Sequence, residues 1–113
     1  MSDNCLFCKI IKGDIPAEKL YEDDDIFAFR DIAPQAPVHF LVIPKKHISG
    51  PGDVEVSDEQ LMGKIVRVAG KIAEKEGVKH YRLVFNNGEE VGQAVFHIHM
   101  HVLGGRSLSW PPG

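Results

Sequence analysis

Phe96-His97-Ile98-His99-Met100-His101-Val102-Leu103 alternates apolar and imidazole side chains. In an extended strand successive side chains point to opposite faces. The period of two therefore puts His97, His99 and His101 on one face, and Phe96, Ile98, Met100 and Val102 on the other, toward a core. Three of the chain's six histidines stand in this run, too many for packing alone to explain. Two chemistries use such a row. In one, the imidazoles hold a catalytic zinc ion that keeps an open position for water. In the other, one imidazole attacks phosphorus and carries a covalent intermediate while its neighbours orient it or bind phosphate. Same-face neighbours on a strand lie about 7 Å apart, so three in succession converge poorly on one ion.

The rest of the chain bounds the answer. Its 113 residues make a single domain, 1–113, with one modest core. At 43% hydrophobic and 26% charged, the composition is that of a soluble globular protein. A formal net charge of −3 leaves no basic footprint for nucleic acid. No apolar run is long enough to span a membrane. The start Met1-Ser2-Asp3-Asn4 has neither the basic residues nor the apolar stretch of a signal peptide, so the expected location is cytoplasmic. There, Cys5 and Cys8 are read as a metal or redox pair rather than a structural disulfide. A redox pair usually follows a strand in a βα unit, whereas these two stand near the beginning of the chain.

Local signals predict a short helix over 5–12, stopped by Gly13, then strands at 19–22, 26–30 and 38–43, the last closed by Pro44. Asp23-Asp24-Asp25 reads as a solvated turn, as do Lys45 and Lys46. Ser57 with Gln60 reads as a capping box opening a longer helix. Leu61, Ile65, Val68 and Ile72 give that helix a buried stripe, and Gly77 ends it. Further strands are expected at 81–85 and 95–103. With mostly short strand connections, the expected fold is α+β: an antiparallel five-stranded meander with both helices packed on one face.

The segment before the histidines, Asn86-Asn87-Gly88-Glu89-Glu90-Val91-Gly92-Gln93-Ala94, is a polar, glycine-containing loop whose amides can cradle phosphate oxygens. Beside the histidine row it favours phosphorus chemistry. The segment from Gly92 to Leu103 resembles the signature of the histidine triad nucleotide-binding proteins. Ile15-Pro16-Ala17, Phe29-Arg30-Asp31-Ile32, the stretch from Ala36 through Pro44-Lys45-Lys46-His47-Ile48, and Trp110-Pro111-Pro112-Gly113 extend the resemblance over nearly the whole chain. The last two segments resemble the Hint branch, the purine nucleoside phosphoramidases.

The resemblance implies roles. His99 would be the nucleophile on the α-phosphorus, forming a nucleotidyl-histidine that water hydrolyses. His101 would contact the phosphate or the departing group, with His39 supporting the cluster. Asn86, Gly92 and Gln93 would form the phosphate-side loop, and Asp31 would bind the ribose hydroxyls. Phe7, Ile10, Phe29, Ile32 and Leu41 would line a purine slot. Cys5, Cys8, His47 and His97 would hold a structural zinc, a saturated four-ligand set. A homodimer is implied, with Trp110 near the partner's site. No P-loop or acidic magnesium cluster is present, so no catalytic cofactor is expected. Ala94 departs from the pattern, standing where the family commonly has a serine hydroxyl beside the phosphate. That departure keeps a second reading open, a nucleotide-binding regulatory module with weak or vestigial hydrolysis. A catalytic-zinc hydrolase is the third.

Overall fold

A computed structural model describes residues 4–113. The elements are α1 (Leu6–Lys12), β1 (Lys19–Glu22), β2 (Ile26–Arg30), β3 (Val38–Pro44), α2 (Glu59–Lys75), β4 (Tyr81–Val84) and β5 (Met100–Gly104), with single 3₁₀ turns at Pro51–Asp53, Val56–Asp58 and Glu89–Val91. The five strands form one antiparallel sheet in the order β1-β2-β3-β5-β4. The first three strands meander. The chain then crosses through α2 to the far edge and returns as β5 between β3 and β4.

The sheet is covered on both faces. On one, Ile65, Val68, Ala69, Ile72 and Ala73 of α2 pack on Ile26, Ala28, Phe40, Val42, Met100 and Val102. On the other, Cys5, Phe7, Cys8 and Ile10 pack on Phe27, Phe29, Leu41 and Ile43. The expectation of both helices on one face is thus corrected. Strands buried on both faces read as continuous apolar runs rather than alternations, and Ile26-Phe27-Ala28-Phe29 and Phe40-Leu41-Val42-Ile43 are such runs.

Helix α1 is seven residues long and is held by its ends. Cys5 caps it, its Sγ accepting from the Cys8 amide. Gly13, at φ 87°, closes it with bonds from Gly13 N to Ile10 O and from Asp14 N to Lys9 O. Helix α2 does not begin at the expected Ser57–Gln60 box. The box is Glu55–Asp58, around the preceding 3₁₀ turn. There the buried Asp58 carboxylate accepts the Glu55 amide and pairs with Lys46. Lys45 likewise pairs with Glu22 at 2.7 Å, so neither lysine belongs to a merely solvated turn.

The last strand is shorter than expected and starts at Met100, not near residue 95. Its ladder with β3 runs from Val38↔Gly104 to Val42↔Met100. Two residues further on, that register would bring Ile98 opposite Pro44, which has no amide to donate. The ladder stops there. Ile98 donates instead to the Ile48 carbonyl at 2.6 Å, drawing the segment before β5 off the sheet.

The turn at Asp23 is a bonded joint. Its carboxylate accepts the Asp25 and Ile26 amides at 2.8 and 2.9 Å and the Tyr21 hydroxyl at 2.6 Å, and pairs with Lys64 of α2 at 3.0 Å. Burial alone would raise this carboxyl, but the hydroxyl, the amides and the ammonium outweigh it and hold it well below the ordinary range. A depressed carboxyl stabilises the fold above its unfolded value of about 3.9, and the contribution disappears as pH falls toward the folded value. Asp23→Asn is expected to cost about 1–2 kcal/mol at pH 7 and to remove part of the stability loss on acidification below about pH 4. Urea unfolding of both proteins at pH 7 and pH 3 measures this, and equal midpoints at pH 7 would contradict it.

Candidate active site and metal cluster

Of the three alternating histidines, only His101 lies in β5. His99 and His97 occupy the segment that Pro44 keeps off the ladder. All three remain on the α1 side of the sheet. Phe7 stands edge-on to His97 and His99, with ring centroids 6.0 and 5.1 Å away. His97 and His99 are buried and His101 is half-buried. Their ring nitrogens meet different partners, so the row is three sites rather than one.

Main-chain groups fix the protons of four imidazoles. A carbonyl can only accept and an amide can only donate. His97 Nε2 lies 2.8 Å from the Pro44 carbonyl, so Nε2 carries the proton and Nδ1 is left with its lone pair. His99 Nδ1 lies 2.8 Å from the His97 carbonyl, so Nδ1 donates and Nε2 keeps the lone pair. The Gln35 amide donates to His39 Nδ1 at 3.0 Å, so neutral His39 carries its proton on Nε2. That proton faces His101 Nδ1 at 2.9 Å, leaving His101 protonated on Nε2. Burial lowers all four, His97 and His101 to about 4, so each is neutral at pH 7.

His97 Nδ1 faces both thiols, at 3.3 Å from Cys5 Sγ and 3.6 Å from Cys8 Sγ, and His47 Nδ1 lies 3.6 Å from Cys8 Sγ. The four ligand atoms are all within 4.8 Å of one another. In a tetrahedral zinc site, bond lengths near 2.05 and 2.3 Å place nitrogen and sulfur ligands about 3.5 Å apart. The three sulfur–nitrogen separations match that spacing, so the set suits a tetrahedral ion. His97 also has the backbone-bonded second nitrogen typical of metal-ligating histidines.

Asp31, His39 and His101 form a second tight group. Asp31 Oδ2 is 3.4 Å from His39 Nε2 and 3.9 Å from His101 Nδ1. This group does not suit a metal. With the Gln35 amide already donating to Nδ1, a metal on His39 Nε2 would require an imidazolate. Its geometry is that of a proton relay beside a carboxylate.

The structure places the other expected residues unevenly. Phe7, Ile10, Phe29 and Leu41 are buried in the layer under α1, with Phe7 edge-on to Phe29 at 5.4 Å. Ile32, at 97% exposure, stands out beside Asp31. Gln93 is buried and its amide is fully engaged: Oε1 accepts from the Gly88 amide, and Nε2 donates to the Ser49 and Val95 carbonyls. Its backbone amide bonds Gly88 O and that of Gly92 bonds Glu89 O. Asn87, singled out only as part of the loop, accepts the Gly52 amide at 2.7 Å. A Cβ on Gly50 would come within 3.1 Å of Asn87 and 3.2 Å of Gln93, so loop 49–53 packs directly on these two side chains. Ala94 lines a cavity of about 510 Å³ with Cys5, His47 and Phe96. A slightly larger one, about 550 Å³, lies between the end of α2, β4 and the tail, lined by residues 77–82 and 105–108 and by none of the histidine row. The contributions of Gln35, Pro44 and Ile48 leave no mark in the residue pattern, because they act through main-chain groups.

The chain belongs to the HIT family: the HIT domain model matches residues 12–108. A HIT-like protein of Synechococcus elongatus is 50% identical over 114 residues, covering 100% of both chains. The crystal structure of a HIT family hydrolase from Legionella pneumophila superposes with a TM-score of 0.94 at 55% identity, over 97% of this chain and 100% of that one. A HIT family hydrolase from Clostridium thermocellum gives a TM-score of 0.94 at 45% identity, over 96% of each chain. Among the described residues, no helix is long and apolar enough to cross a membrane.

Gln93→Glu replaces two donors with an acceptor facing the Ser49 and Val95 carbonyls. It is expected to cost about 2–4 kcal/mol at neutral pH, read as a lowered urea midpoint. An unchanged midpoint would show that the amide is not a strut of the loop.

Proposed function

We propose that the protein is a nucleotide hydrolase that cleaves the P–N bond of purine nucleoside 5′-phosphoramidates through a nucleotidyl-His99 intermediate. The observation that carries this is the proton pattern of the row. His99 offers a buried, neutral imidazole with Nδ1–H tied to a carbonyl and Nε2 free to attack. The names of the related hydrolases support the reaction class.

In the first step the His99 Nε2 lone pair forms a bond to the α-phosphorus. The P–N bond breaks and its electron pair goes to nitrogen. That nitrogen takes its proton from solvent water, while the neutral His101 donates an Nε2–H hydrogen bond to it as it departs. Water then attacks phosphorus and gives up a proton to solvent, restoring the one that the departing amine took, and the electrons of the P–Nε2 bond return to His99. His39 steadies His101 from the far side. Asp31 receives the ribose hydroxyls. Asn86 and the loop amides near Ala94 receive the phosphate, with Gly92 and Gln93 shaping that loop rather than donating from Gln93's side chain. Phe7, Ile10, Phe29 and Leu41 form the apolar floor under the purine, and Ile32 its lip.

Zinc is the ion proposed for Cys5, Cys8, His47 and His97, where it would serve as a structural tie between α1 and the segment carrying His99. We also propose a homodimer. The edge strand β4 leaves Tyr81 and Leu83, and Phe85 just beyond it, partly exposed, and Trp110 is 80% exposed on the tail, surfaces that a second copy would cover. Ala94, which supplies no hydroxyl beside the phosphate, favours the alternative of a nucleotide-binding module with vestigial hydrolysis. Multiple turnovers of a phosphoramidate separate the two.

Protein quenched during turnover of an adenosine 5′-phosphoramidate is expected to carry one adenylyl group on His99 by mass spectrometry. His99→Ala should lose turnover by about a thousandfold or more while still binding AMP. Near-normal turnover by the variant would overturn the assignment.

Metal analysis of protein purified without chelator is expected to find about one zinc per chain, lost in Cys8→Ser. Metal-free wild-type protein of equal thermal stability would exclude the structural zinc.

A further inference from the structure

We infer that Arg106, which lies outside the histidine row, is a positioning residue for it. By gripping the Gln35 carbonyl it holds the loop amide that decides which nitrogen of His101 carries a proton. Arg106 Nε and Nη2 both donate to Gln35 O, at 3.1 and 2.9 Å, and Nη1 donates to Ser107 O at 2.9 Å. Among the described residues, no carboxylate lies within ion-pair distance of this guanidinium. Its donors are spent on main-chain carbonyls.

The Gln35 amide and carbonyl flank one Cα, so fixing the carbonyl limits how far the amide can swing away from His39. The ends of the loop are joined and Ala36 is buried, but few bonds hold the peptide groups around Gln35. Pro34 and Pro37 bring no amide hydrogen. The internal bonds are Asp31 N to His39 O, which joins the loop's two ends, Ala33 N to Asp31, and the Gln35 side chain to Ala33 O, and none of them holds the Gln35 carbonyl. The tail is built to reach this loop. Gly105 adopts φ +90°, and a Cβ there would come within 3.0 Å of Pro37 Cβ, so only glycine lets the chain turn over the loop and deliver the next residue.

The relay is directional. With the Gln35 amide in place, the order is Gln35 N–H to His39 Nδ1, then His39 Nε2–H to His101 Nδ1, which leaves the His101 proton on Nε2. If the amide withdraws, His39 is free to carry its proton on Nδ1 instead. The His39–His101 bond then reverses, and His101 Nε2 becomes an acceptor. At a departing amine that exchange turns a hydrogen-bond donor into an acceptor. This last consequence rests on the phosphoramidase reading; the proton pattern itself does not.

The test uses full-length Arg106→Ala and Arg106→Lys. Long-range ¹H–¹⁵N spectra of imidazole-labelled protein at neutral pH report tautomers without any turnover. Wild type should show His39 and His101 as Nε2–H species. Arg106→Ala should show a mixture at His101, and Arg106→Lys, which keeps the charge but not the two-pronged grip, an intermediate mixture. If Arg106→Ala does not fold, the lysine variant carries the test alone. Unchanged tautomers in the folded variants would overturn the inference. In the kinetic arm, kcat of Arg106→Ala is expected to fall about tenfold with a basic alkylamine leaving group and less than about twofold with a weakly basic arylamine, with AMP affinity unchanged within about twofold. An equal fall for both amines, or a change in KM alone, would mean a merely structural role and overturn it. Shifted tautomers in a protein whose wild type releases no amine would support the inference and sink the phosphoramidase reading instead.

Discussion

The site depends on how His97 is held. Its Nε2 donates to the Pro44 carbonyl, its Nδ1 faces the Cys5 and Cys8 thiols, and its own carbonyl receives the His99 Nδ1 proton. One residue thus joins the end of β3, the N-terminal helix and the imidazole with the free nitrogen. Burying an imidazole completely is unfavourable unless each of its polar atoms finds a partner, and His97 has both ring nitrogens engaged at zero exposure. That requirement orders the surrounding chain: a rotation of this ring would strand the Pro44 carbonyl and shift the His97 peptide on which His99 rests.

The two-sided sheet supplies the frame. Helix α2 brings seventeen residues and a continuous apolar stripe, enough to cover its face unaided. Helix α1 has seven residues, too short to persist on its own in water. It stays because Phe7 and Ile10 pack into the sheet and because Cys5 and Cys8 converge with His47 and His97. Stability and chemistry therefore divide between the faces. The α2 side is conventional core, whereas the α1 side mixes core residues with every imidazole of the row.

Much of this was legible in the sequence. The period of two at 96–103 placed the histidines on one side, and the strands at 19–22 and 26–30 and the glycine stop of α1 fell where propensity and turn chemistry put them. The metal-ligand group followed from resemblance, and its convergence is geometric in the structure. Three features escaped for physical reasons. The start of β5 depends on Pro44, half the chain away, and a single-strand pattern carries no record of its neighbour's missing amide. The opposite placement of the helices was encoded in the unbroken apolar runs of β2 and β3, a signal that alternation elsewhere obscured. The acidic turn at Asp23 looked solvated because the ammonium that pairs with it, Lys64, comes near only once α2 is docked.

The donors and acceptors that set the imidazole protons are the main-chain groups of Gln35, Pro44 and His97 rather than side chains. Such wiring is insensitive to residue identity. Position 35 can drift through almost any side chain and still present the same N–H to His39, with proline, which lacks it, the exception. At position 44 any residue retains the carbonyl, though one with an amide would allow the β5 ladder to lengthen. Variation among relatives at these places therefore says little about whether the proton pattern persists. What must be preserved is the path of the backbone.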